Sequence, residues 1–381
     1  MSISFGLKMK LSKIILFLLL FLNFEIYSQL LPVPCAAYRV DKTWYVADEM
    51  GNVLYTSTII LDVETYSEEL LSGYAFDGGN VVSVYYNNFG EVELKTPSQK
   101  AFGFKNNRAF IIIDTSKNAQ KPSYLYGIID KQGRYITPMK WIDIEEFSEG
   151  LAYVMNPEER GYIDTSGKFA FKLDSAFGGY GFSEGLTPIS DARIDRFGFM
   201  DRTGKLVIGY NFFEAGLFFE GLARVFIPNK EDGRGGFGFV NKNGKLVINN
   251  FFDETRIFSE GYNFVAIVGE KNITKWCIID KDGVSKTDFV FGEGKDFSES
   301  IAAVRELYDT MWYYIDTNFK KITDKYKFCG SFKNGKALVV DVNDRKYYIN
   351  KDGKILFELP PNADIILDTR TNEKYGKYDN K

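Results

Sequence analysis

Apolar and polar residues alternate in short runs along this chain, and the runs recur in a fixed order. In RFGFMDRTGKLVI, which starts at Arg196, Phe197 and Phe199 alternate with small or polar neighbours, as do Leu206 and Ile208. That is the period-two pattern of half-buried strands. The link between them, Asp-x-x-Gly, predicts a tight hairpin. The Asp side chain can accept from backbone N–H groups, and Gly takes the positive φ that closes the turn. A Phe-Ser-Glu-Gly block follows and opens a further short apolar strand: LAYV, LARV, IAAV or ALVV. The block reads as a buried ring followed by a second positive-φ turn.

The same order repeats along most of the chain. Arg196 to Val225 aligns without a gap to Gly236 to Val265, with identity at fourteen of thirty positions. The turn Asp or Asn recurs at 130, 164, 201, 241, 280, 316 and 350, in steps of 34 to 40 residues. Fainter copies begin at Trp44 and Val84, which makes roughly eight units and a C-terminal fragment from Tyr347. Phe319 replaces the turn Gly once, so that turn is expected to differ. Gly127, Gly161, Gly198 and Gly238 sit inside aromatic strands, where Gly signals close backbone approach. One unit of about three short antiparallel strands cannot bury its aromatic face alone, but stacked neighbours can. The fold class expected is therefore all-β, a tandem repeat array forming either a curved open array or a propeller-like ring. Three strands per unit fall short of the four in a usual propeller blade and tilt the expectation towards the open form.

The repeated G-[FY]-[IVM]-D-x-x-G-K run and F-S-E-G-L-A block resemble the WG-repeat family, also called KWG repeats, of bacterial proteins. The likeness is clear from Tyr126 to Phe357 and weaker from Trp44 to Ile113. The name-giving Trp-Gly pair is Phe-Gly, Tyr-Gly or Arg-Gly here, and of the Pro residues expected after the second strand only Pro138 fits. The resemblance implies an all-β repeat module that serves as a binding or interaction surface. It implies no catalytic residues.

The chain ends add an address. Lys8, Lys10 and Lys13 precede an eleven-residue apolar run, Ile14 to Phe24, and Ser28 follows as a small residue. This reads as a signal peptide over 1–28, since the run is shorter than the roughly 20 residues that span a bilayer. Cys35 follows Pro34 and lacks the small residue that precedes a lipidated Cys. The repeat array is assigned to 29–358, and 359–381 to a polar, loosely ordered tail. The protein is expected to be exported, to the periplasm, the cell surface or the medium, with no transmembrane segment in the mature chain.

Composition narrows the chemistry. The 381 residues contain no histidine, which removes Ser-His-Asp and Cys-His catalysis and the two-His zinc motif. Aromatics make up 16%, which suits pleated surfaces, and a net charge of -4 with interspersed signs shows no nucleic-acid footprint. Three cysteines, Cys35, Cys277 and Cys329, are too few for a disulfide framework or a zinc site, though Cys277 and Cys329 could pair.

The recurrent acids Asp130, Asp164, Asp201 and Asp280, and Glu149, Glu184, Glu220 and Glu260, invite comparison with the paired carboxylates of glycoside hydrolysis. A catalytic pair occurs once, however, whereas an acid in every unit is better explained by local backbone hydrogen bonding. DKDG at Asp280 lacks the further acids of a calcium loop. Gly233, Gly235 and Gly238 spell G-x-G-x-x-G but enter a strand, not a helix. Trp276 and Trp312 hold the strand position of Phe or Tyr elsewhere and are expected to be buried rather than sugar-stacking. No catalytic, metal or cofactor-binding residue is assigned, and no cofactor. Specificity is expected in the insertions, which read as loops between units: Ser190 to Arg196, Phe226 to Gly235 and Val268 to Lys275. The function expected is a non-catalytic scaffold binding a protein or glycan partner at the cell envelope. The alternative is a carboxylate-dependent glycan hydrolase or lyase.

Overall fold

The computed structural model describes residues 32–116, 123–174, 176–177, 179–191, 193–228 and 235–376. The expected signal peptide lies outside the described residues. Among the described residues strands dominate, and the one helical element is a short 3-10 turn at Glu270–Asn272. The strands form eight antiparallel sheets.

A representative sheet runs in chain order through Asp143–Ile144, Leu151–Met155, Arg160–Asp164 and Phe169–Lys172, each strand pairing with the next. The strand opened by Phe-Ser-Glu-Gly is thus second in its sheet, and the aromatic-Gly-aromatic strand is third. One sheet has six strands and carries two successive copies of the motif. The copies are Glu254–Asp280 and Phe291–Asp316, joined through the pair Trp276 and Phe291.

The two middle strands are buried on both faces, as in LAYVM and RGYID. Alternate residues belong to different cores. Ala152 and Val154 pack towards the preceding copy with Phe110, Ile128 and Trp141, whereas Tyr153 packs towards the following copy with Phe182 and Ile189. Each apolar cluster among the described residues lies between successive copies in this way. The Phe of the Phe-Ser-Glu-Gly block enters the cluster shared with the preceding copy, as Phe147, Phe182, Phe218 and Phe258 show. Burying a ring of this size is worth about 1.5–3 kcal/mol, so the block works as an apolar wedge between copies.

The Gly inside the aromatic strand has the expected cause. A Cβ on Gly198 would lie 2.4 Å from the Ile208 carbonyl oxygen on the fourth strand. The Asp-x-x-Gly turn abuts the preceding copy: Gly204 has φ +86°, and a Cβ there would meet the Phe171 ring at 2.8 Å. Phe319 does not change its turn, contrary to expectation. It takes φ +62° in the same turn, its amide donating to the Asp316 carbonyl at 2.9 Å. Its ring packs edge-on against Tyr262 and Phe297. The preceding copy has only an isolated bridge, Ile279 to Ser285, in place of a regular fourth strand, which leaves room for that ring.

The ring is closed, which decides between the two expected forms. Ala36–Val40 pairs antiparallel with Ile365–Asp368, so strands from both ends of the described chain share one five-stranded sheet. Residues assigned to a polar tail therefore supply the closing strands Ile365–Asp368 and Lys374–Gly376. The tail assignment failed because IILD is short and flanked by polar residues, and its apolar face finds a partner only in the first strand. Ile366 packs with Ala36, Leu338 and Tyr348. Buried Arg370 donates to Asp368 through Nε at 3.0 Å and Nη2 at 2.5 Å, and through Nη1 to the Lys333 carbonyl at 2.8 Å.

Two outcomes are expected. Arg370→Ala leaves Asp368 buried without its partner and should cost about 3–5 kcal/mol, read as a lower urea midpoint; an unchanged midpoint would show that the closure does not depend on this pair. Gly204→Ala combines positive φ with overpacking and should cost about 1–3 kcal/mol, whereas Gly221→Ala, with open space around it, should pay only the conformational part.

Candidate functional site

The repeated acids are where their turns place them. Asp201 Oδ1 accepts from the amides of Thr203 at 2.9 Å and Lys205 at 3.1 Å. Asp130, Asp164, Asp280 and Asn350 do the same two and four residues on. At Asp201 the Thr203 hydroxyl holds the carboxyl below the ordinary range, aided by both amides, against the opposing cost of desolvation.

The repeated glutamates reach further than local turn bonding. Each Glu-Gly pair forms the two central residues of a hairpin with positive φ at both, as at Glu149 (φ 50°) and Gly150 (φ 81°). This is the geometry of a type I′ turn. The Glu149 carboxylate accepts from the Gly185 amide at 3.1 and 3.2 Å, in the equivalent turn of the next copy. Glu184 accepts from Gly221, Glu220 from Gly261, and Glu260 from Glu299 and Ser300, all at 2.6–3.3 Å.

The other residues of the motif join the same link. Ser259 donates to the Phe297 carbonyl at 2.6 Å and Ser298 to that of Phe332 at 2.7 Å, each in the following copy. Lys242, in the Asp-x-x-Gly-type turn of the following copy, donates to the Glu184 carbonyl at 3.0 Å and pairs with its carboxylate at 3.0 Å. The Phe-Ser-Glu-Gly block, closed over by the turn Lys of the following copy, is thus a staple between copies, and its acids are occupied by scaffolding.

The strand order fixes two faces. The first-to-second and third-to-fourth strand turns lie at one end of every sheet, so one face of the ring carries the staples. The second-to-third hairpins open on the other face, and all three insertions fall there, inside their sheets and not between units as expected, because the strands that flank each one pair with each other. Asp191 in Ser190 to Arg196 pairs with Arg193 at 2.5 Å, and that side-chain bond pulls the Asp191 carboxyl down to about 2. Val268 to Lys275 carries the 3-10 turn. Of Phe226 to Gly235, residues 229–234, which include Gly233, lie outside the described residues; Gly235 and Gly238 belong to a strand, Gly235–Asn241. Around the bases of the first two insertions runs a set of rings. Tyr180 and Phe197 are 6.3 Å apart, Phe213 and Phe226 6.5 Å, and Phe226 and Phe237 5.4 Å. The Arg196 guanidinium lies 3.5 Å from the centre of the Phe213 ring.

Trp276 is buried between copies, and Trp312 is half-buried against the next core. Cys35, Cys277 and Cys329 are buried free thiols; burial pushes Cys35 up to about 12 and Cys277 to about 11, well away from reactive thiolate character. Among the described residues, no helix is long and apolar enough to cross a membrane.

A cavity of about 610 Å³ is lined by Ser67, Phe104, Phe147, Gly181 and Leu217, from five successive copies. Residues from five copies meet only at the centre of the ring, so this is the axial cavity and the first strands border it. Glu145 and Glu146 also line it, at positions held by Tyr180 and Gly181 in the next copy. Glu146 pairs with Lys105. Desolvation raises the Glu145 carboxyl, and Asp143 and Glu146 add to the rise. These two acids break the repeat, but nothing in a single copy of the motif marks them as axial.

Eight antiparallel sheets closed into a ring by shared terminal strands define a β-propeller built of tandem repeats. Four segments, 126–156, 197–230, 237–271 and 312–345, match the model described as WG containing repeat, so the chain carries repeats of that type. No curated protein matches its sequence. Among solved structures, BamB from Moraxella catarrhalis is similar at 10% identity and a TM-score of 0.36, over 84% of this chain and 89% of that one. Dipeptidyl peptidase 4 of Porphyromonas gingivalis is similar at 11% identity and a TM-score of 0.49, over 79% of this chain and 59% of that one.

The staple carries an acid-sensitive load. Burial pushes Glu184 up, but Lys242 and the Gly221 amide outweigh it and hold its carboxyl below the ordinary 4.5. A depressed folded value gives stability that is present above the unfolded value and is lost as pH falls through the folded one. The urea midpoint should therefore fall between pH 5 and pH 3, by an amount that shrinks in Glu184→Ala. That variant should lose about 1 kcal/mol at pH 7, a modest figure because the side chain is 30% exposed. Equal midpoints at pH 7 and pH 3 would remove the staple from the stability of the ring.

Proposed function

We propose that this protein is an exported, non-catalytic interaction scaffold whose binding face is the insertion face of the ring. One observation carries the reading. The repeated acids are bound to backbone amides, whereas Tyr180, Phe197, Phe213, Phe226 and Phe237, together with Arg196, gather on the opposite face around two copies only. Rings and guanidinium groups are the side chains that anchor protein interfaces. The basic stretch and apolar run before Ser28 support export to the periplasm, the cell surface or the medium.

The hydrolytic alternative has one observation in its favour, the raised Glu145 carboxyl at the axial cavity. Glycoside hydrolysis needs two carboxyl groups flanking the bond. Glu146, the acid beside Glu145, is held by Lys105, so the scaffold reading is the stronger one.

Crosslinked capture from envelope fractions, with the chain from Gln29 as bait, tests the proposal. One reproducible protein or glycan should be retained by the wild type. It should be lost when Phe226 to Gly235 is shortened and when Phe213→Ala is combined with Phe226→Ala. Retention by every variant would move the binding face elsewhere, and an eluate no different from the bead control would count against the scaffold itself.

A further inference from the structure

Resting on the scaffold reading, we propose that the pocket around Arg224 binds a carboxylate carried on an apolar body, supplied by an acidic and apolar peptide segment of a protein partner. The first observation is a break in the repeat. Arg224 lies in LARV at the position held by Tyr153, Phe264, Ala303 and Leu338 in other copies, all of them buried apolar side chains. A charge at that position is exposed here and, among the described residues, has no carboxylate within ion-pair distance. Its one close partner is a ring: the guanidinium carbon lies 4.9 Å from the centre of Phe237.

The second observation is the space made for it. Gly216 lies on the adjacent first strand, and a Cβ there would come within 2.9 Å of Arg224 Cγ. Any larger residue would displace the arginine. A pocket of about 400 Å³ opens over this side chain, walled by Tyr180 and Phe197 of the preceding copy, by Leu217 and Phe219, and by Ile257 of the following copy. Glu214 stands on its edge. A slot of about 40 Å³ shares Gly216, Leu217, Phe219, Arg224 and Ile257 with the pocket and is also lined by Arg256.

The third observation is that Arg256 is under-used. Its Nε is buried with no hydrogen-bond partner, and its Nη2 is 3.6 Å from Glu293, a carboxylate that Arg305 already engages at 3.0 Å; Asp296 faces it through charge and Trp276 through its ring, neither with a hydrogen bond to Nε. A buried donor left unmade is costly, and a carboxylate oxygen in the slot would satisfy it. Two guanidinium groups fork onto a carboxylate well. The rings and aliphatic side chains of the wall accept an apolar body rather than a hydroxylated sugar. The volume suits a single side chain or a chain terminus, not a polymer, and no metal or second reactant is required.

Ligand-observed NMR titration of the chain from Gln29 with 3-phenylpropionate, 3-phenylpropanamide and glucuronate tests the assignment. The acid should bind at least about 10-fold more tightly than the amide, the loss expected when a charged hydrogen bond goes. Arg224→Gln should weaken the acid about 10-fold while leaving the thermal midpoint unchanged, and Arg256→Gln should weaken it in the same direction. Equal binding of acid and amide, or no effect of Arg224→Gln, would overturn the proposal. Binding of glucuronate alone would replace the peptide with an acidic glycan. The capture experiment keeps the two levels apart. A partner held by the wild type and equally by Arg224→Gln leaves the scaffold standing and removes this pocket, whereas no captured partner at all counts against the scaffold reading.

Discussion

The architecture depends on one relayed contact, from the Phe-Ser-Glu-Gly hairpin of each copy to the equivalent hairpin of the next. The Phe ring fills the seam behind it. The Ser hydroxyl and Glu carboxylate satisfy backbone groups in the seam ahead, and the lysine of the next copy's turn closes over the carboxylate. Backbone amides at an exposed hairpin turn would otherwise be left to water. Here they take charged acceptors, which form the stronger class of hydrogen bond. Where a copy carries the Glu, its hairpin gives to the next, so the contact passes from copy to copy; Asn106 and Asn334 hold the Glu position in two copies.

Such a relay has to end somewhere, and the closing sheet is the device that ends it. A strand from the beginning of the described chain pairs with one from its end, so the array keeps no open terminal copy. Closure covers the apolar face that a terminal copy of an open array would present to water. The buried Asp368 and Arg370 pair sits at this seam and reaches back to the carbonyls of Lys333 and Lys336. It does the work that Ser and Glu do elsewhere.

The same economy separates structure from function. A side chain that recurs in every copy is bound by the requirement that every seam be alike. Departures from the repeat are free to do something else, among them Arg224 in place of an apolar residue, Glu145 and Glu146 just after the first strand Asp143–Ile144, and the rings around Phe213 and Phe226. All of them lie at the axis or on the face opposite the staples. The functional reading rests on those departures and not on the acids that first attract notice.

Much of this was legible in the residues. The repeat period, the strand alternation, the Asp-x-x-Gly turns and the close approach at Gly198 follow from local rules, because a turn and a pleat are settled by neighbours in sequence. The sequence could not show that Glu149 bonds to the next copy rather than to its own turn, since that needs the distance between copies. Phe319 keeping the common turn, IILD serving as a closing strand and the array being a ring were decided by tertiary structure for the same reason. Each depends on what stands on the far side of a seam: an absent fourth strand, a first strand some 325 residues away, and the sum of small rotations that brings the last copy back to the first. Arg224 shows the limit most plainly. In sequence it is one arginine in an apolar tetrapeptide, and only the ring places Gly216, Arg256 and the rings of a neighbouring copy around it.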